Sequence, residues 1–75
     1  SSDLIYSMGI MLYQLFTKKI PKNTAVEQPE KPSNYNSKTS PLLDNVILKM
    51  IEPKPNMRQN NFKEVIDVLD NIILT

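Results

Sequence analysis

Residues Leu4 to Phe16, LIYSMGIMLYQLF, are apolar around the whole circumference of a helix: ten of the thirteen are hydrophobic, and only Ser7, Gly9 and Gln14 interrupt them. Such a helix needs protein on every side. With only two further short apolar stretches in the 75 residues, the pattern predicts that much of the coat comes from outside this sequence. Ser1 or Ser2 is placed to cap the helix, and Asp3 puts a negative charge where the helix dipole favours one. The helix is expected over about 2–17, with Lys18 and Lys19 at its carboxyl end and Pro21 barring continuation.

From Lys22 to Thr39 the chain reads KNTAVEQPEKPSNYNSKT, with no apolar period of 2 or 3.6 residues. It reads as a long connection with a possible short turn at Ala25 and Val26, of a length usually functional or partly disordered. Ser40 followed by Pro41 then starts a helix, a capping hydroxyl before a proline that suits the first helical position. Leu42, Leu43, Val46, Ile47, Met50 and Ile51 form one stripe, predicting a helix over about 41–52 that Pro53 and Pro55 stop. Asn61 and Glu64 make a capping-box-like pair. Phe62, Val65, Ile66, Leu69, Ile72 and Ile73 follow as the stripe of a third helix over about 62–74. No segment alternates as a half-buried strand does, so the expected fold class is all-α with three helices and a long proline-containing linker.

Composition narrows the means of stabilisation. A domain this small buries only about 60% of the surface its unfolded chain exposes. There is no cysteine for a disulfide, and no cysteine or histidine from which to build a zinc site. Nine Lys and Arg against eight Asp and Glu, without a basic stripe, argue against nucleic acid as a partner. No basic leader precedes the first apolar run, which falls short of the roughly 20 residues that cross a bilayer, so a cytoplasmic location without membrane insertion is expected.

A catalytic centre is not expected within these residues. Without His or Cys, no Ser-His or Cys-His arrangement can form, and a single glycine excludes a glycine-rich phosphate loop. Asp67 and Asp70 share a helix face that could in principle hold a divalent cation, but a solvated acidic face is the expectation. Gly9 costs its helix about 1 kcal/mol relative to alanine, which predicts close approach of another backbone. Ser7 and Gln14 lie on nearly one face, to meet water, a polar loop or a partner. Arg58, in the turn after Pro55, reads locally as an exposed turn arginine, although such a turn also allows a bidentate carboxylate pair.

Taken together, YSMGIMLYQLFTKKIP at 6–21 and LLDNVILKMIEPKPNMRQNNFKEVIDVL at 42–69 resemble the end of the eukaryotic-type serine/threonine protein kinase catalytic domain. The first stretch resembles the buried F helix of the large lobe; the second resembles the H helix, the Pro-x-x-Arg turn and the I helix. On this resemblance the whole chain, 1–75, is a partial large lobe: 1–21 F-helix-like, 22–39 linker, 40–75 H- and I-helix-like. The resemblance implies structural roles for Gly9, Met11, Leu15, Pro55 and Arg58, and puts Gln14 at a substrate-facing position where some relatives carry an acidic residue. It implies that Met11 and Leu15 are anchors beneath the column of side chains that includes the adenine ring. Arg58 is implied to pair with a glutamate of the activation segment that these residues lack; truncating such a buried pair costs about 3–5 kcal/mol. In a chain standing alone, Arg58 is expected to be exposed and dispensable.

Two departures accompany the resemblance. Leu4 occupies the position of the aspartate that holds the catalytic loop, with Asp3 one place too early, and the linker lacks a G helix. The glycine-rich loop, strand lysine, catalytic loop and metal-binding aspartate are also missing, and phosphoryl transfer depends on those parts. The expectation is therefore no cofactor in this chain, with ATP and Mg belonging to a complete parent, and a partner that is the remainder of a kinase domain. The alternative is a small interaction module or pseudokinase remnant that uses the first helix to bind another protein or itself.

Overall fold

The computed structural model describes residues 2–21 and 26–74, with side chains described through residue 72. Three helices carry the fold: α1 (Ser2–Thr17), α2 (Pro41–Met50) and α3 (Phe62–Leu74). Single 3-10 turns at Pro32–Asn34 and Pro55–Met57 punctuate the connections, and there is no strand among the described residues.

The helix ends follow local chemistry. Of the two candidate caps for α1, Ser1 lies outside the described residues and Ser2 is the first helical residue. At the other end Lys18 turns left-handed at φ 59°, its N–H bonded to the Gln14 carbonyl at 2.7 Å. That arrangement closes a helix, and a lysine in it costs about 1–2 kcal/mol that glycine would avoid. Thr17 Oγ1 tightens the end, donating to the Tyr13 carbonyl at 2.7 Å and accepting from Lys19 N–H at 3.0 Å. Ser40 caps α2 as expected, its hydroxyl accepting from Leu43 N–H at 3.1 Å. α2 stops at Met50, two residues short of the expected end. Ile51 is its carboxyl cap, and Glu52 is turned aside by the proline that follows it. At α3 the Asn61 side chain accepts from Glu64 N–H at 3.0 Å, but the Glu64 carboxylate bonds the Asn60 N–H instead of completing the expected box with Asn61.

α2 packs against both of the other helices and contributes Asp44, Ile47 and Met50 to the fully buried side chains. Ile5, Val46, Met50 and Val65 form one cluster, joined by Leu12, Phe62, Val68 and Leu69. Tyr13, Ile47 and Ile51 form another, flanked by Ile10, Phe16, Leu43 and Leu48. The crossing of α1 over the end of α2 is set by Gly9. A Cβ there would stand 2.6 Å from Met50 Cβ and 2.8 Å from Ile51 Cγ2, and 3.3 Å from the Met50 backbone carbon. The predicted close approach is thus to α2, and only a residue without a side chain permits it.

Over residues 26–39 the linker is tied to the helices by bonds that its polar sequence does not suggest. Tyr13 OH donates to the Glu30 carbonyl at 2.8 Å, and Asn36 Nδ2 donates to the Phe16 carbonyl at 3.0 Å. Ser33 gives both its N–H (2.9 Å) and its hydroxyl (2.5 Å) to the carboxylate of buried Asp44 on α2. Pro29, Pro32 and Thr39 are buried, so residues 29–39 form a strap across the ends of α1 and α2. Of the turn suggested at Ala25 and Val26, Val26 lies in a turn and Ala25 lies outside the described residues.

Candidate functional site

The apolar side chains of α1 separate into two faces. Ile5, Gly9 and Tyr13 are buried against the rest of the chain, whereas Leu4, Met8, Met11 and Leu15 are exposed by 59, 44, 65 and 69%. Asp3, Ser7 and Gln14 lie on the same exposed side, so this stripe holds four large apolar residues beside three polar ones. Solvent does not select such a surface; exposed apolar patches mark places where something else packs. Of the residues singled out from sequence, Met11, Gln14 and Leu15 fall together on this face, while Gly9 falls on the opposite, packed one.

Pro55 and Arg58 form a second node. Pro55 opens the 3-10 turn, and Arg58 leaves it in extended geometry with its N–H on the Pro55 carbonyl at 3.2 Å. The expectation of an exposed arginine fails: Arg58 is only 8% exposed. Its Nε donates to the Glu52 carbonyl at 2.7 Å, and its terminal nitrogens donate to the carbonyls of Ser2 and Pro53, each at 3.2 Å. The guanidinium also lies 4.6 Å from the centroid of the Tyr6 ring. Three of its five donors are therefore engaged by backbone, and an aromatic face shares the charge. Asp3 comes within 3.9 Å, but its side chain is 95% exposed, so this ion pair adds little beside the carbonyls. Arg58 thus clasps the start of α1 to the turn before α3, a contact between residues 56 apart in sequence.

The remaining candidates carry no chemistry. Asp67 and Asp70 are exposed, Asp67 is paired with Lys63 at 3.1 Å, and no group of three potential metal ligands occurs among the described residues. The Tyr13 phenol is pushed above its ordinary range by burial, with smaller contributions from Tyr35 and Glu30. Its hydroxyl serves as a structural donor to the strap. No helix among the described residues is long and apolar enough to cross a membrane.

The partly covered apolar helix and the clasped arginine are the two features that the fold assembles, and similarity to a known sequence gives them a context. A probable serine/threonine-protein kinase from Clostridium acetobutylicum is 35% identical to this chain over an alignment of 78 residues, which covers 91% of the chain. The chain is kinase-related in sequence. It spans only 12% of the length of that relative. Neither the family models nor the solved structures give a match.

Proposed function

We propose that the chain is the carboxyl-terminal helical scaffold of a serine/threonine protein kinase-like large lobe. α1 corresponds to the F helix, α2 to the H helix, the Pro55–Met57 turn with Arg58 to the Pro-x-x-Arg signature, and α3 to the I helix. The observation that carries this reading is the uncovered apolar face of α1, together with the kinase-related sequence. Met11 and Leu15, implied by the resemblance to be anchors for parts outside these residues, are the two most exposed large apolar side chains of that face. Gln14 stands beside them as the substrate-facing position, a neutral amide with no charge to attract a basic peptide. The glutamate expected opposite Arg58 would join a guanidinium already held by three carbonyls, and so would reinforce the clasp rather than create it.

On this reading the partner is the remainder of a kinase-like domain in the cytoplasm, and ATP and Mg are bound by the parent's catalytic loop and metal-binding aspartate. With Leu4 in place of the aspartate that tethers that loop, the parent has either a weakened tether or one supplied by Asp3. The test is the coding sequence upstream of Ser1. An open frame encoding a catalytic loop and an activation segment is expected; a stop codon, or a start codon immediately before Ser1, overturns the proposal. The latter result favours an interaction module, in which the same face of α1 binds another protein or a second copy.

A further inference from the structure

We draw no further inference here: the strongest candidate, the groove between α2 and α3 walled by Leu42, Val46 and Val68, has its unpaired buried acceptor, Gln59 Oε1, closed off from solvent, and nothing in the structure shows what covers the groove.

Discussion

Both faces of α1 carry large apolar residues, yet one is core and the other is surface. Ile5 and Tyr13 are exposed by 0 and 3%, while Met11 and Leu15, on the same helix, are exposed by 65 and 69%. Hydrophobicity alone does not separate them. Gly9 marks the packed side, because there α2 comes so close that a Cβ would stand 2.6 Å from Met50 Cβ. The lesson is that an all-apolar helix states how much cover it needs, and its smallest residue states where the first of that cover comes from.

Substitutions on the two faces test the difference, beginning where the loss is greatest. Ile5→Ala on the packed face is expected to cost about 2–5 kcal/mol, the range for truncating a large buried aliphatic side chain, and urea denaturation measures it. Arg58→Met is expected to lose about 1–3 kcal/mol, because it leaves the Glu52, Ser2 and Pro53 carbonyls without their donor. An unchanged denaturation midpoint for that variant would show that the clasp contributes nothing. Gly9→Ala gains about 1 kcal/mol of helix propensity but meets Met50 Cβ, which is fixed to the backbone of α2. Overpacking of this kind costs about 1–3 kcal/mol, so a net loss is expected, and a larger one for Gly9→Val.

Smaller effects follow further from the core. Tyr13→Phe removes the bond to the Glu30 carbonyl, a loss of about 1 kcal/mol, or about 4–8 °C in Tm for a domain of this size. Its pH dependence has a definite sign. The folded phenol releases its proton at higher pH than the unfolded one, so above the ordinary phenol range the unfolded state binds fewer protons. The stabilisation is therefore complete below that range and is lost as pH rises through the higher folded value; Tyr13→Phe flattens this alkaline limb in thermal melts. Last, Leu15→Ser on the uncovered face is expected to change the stability of the isolated chain by less than about 0.5 kcal/mol. A loss comparable to that of Ile5→Ala would erase the distinction between the faces.

What the sequence makes legible is what is encoded locally. The bounds of α1 and α3, the Ser40–Pro41 start of α2 and the reason for Gly9 all rest on residues within a turn or two of each other, or on an uncompensated propensity cost. The carboxyl end of α2 was harder, because Ile51 continues the apolar stripe while already acting as the cap. The carbonyl partners of Arg58 and the course of the strap are not legible, although the Pro-x-x-Arg resemblance implies a buried arginine. Their contacts join residues far apart: Arg58 to Ser2, Tyr13 to Glu30, Ser33 to Asp44. Nothing in a polar, proline-rich segment signals that a buried carboxylate on another element will take its amide and hydroxyl. A partial cue existed in the prolines, since Pro29 and Pro32 are buried and stiffen the strap where it crosses the helices. The exposed face of α1 is legible in part, because Ser7 and Gln14 mark its side of the helix, but nothing in the pattern says that the four large apolar residues beside them are left bare.

Peroxide oxidation of the methionines tests the central claim most directly, comparing the isolated chain with the kinase-like large lobe that the proposal requires. In the isolated chain Met8, Met11 and Met57, exposed by 44, 65 and 54%, are expected to oxidise readily while Met50, exposed by 1%, is protected. In that large lobe Met8 and Met11 should become as protected as Met50, with Met57 still reactive. Equal reactivity of Met8 and Met11 in both forms would contradict the account, because the face of α1 would then remain bare with the rest of the lobe present.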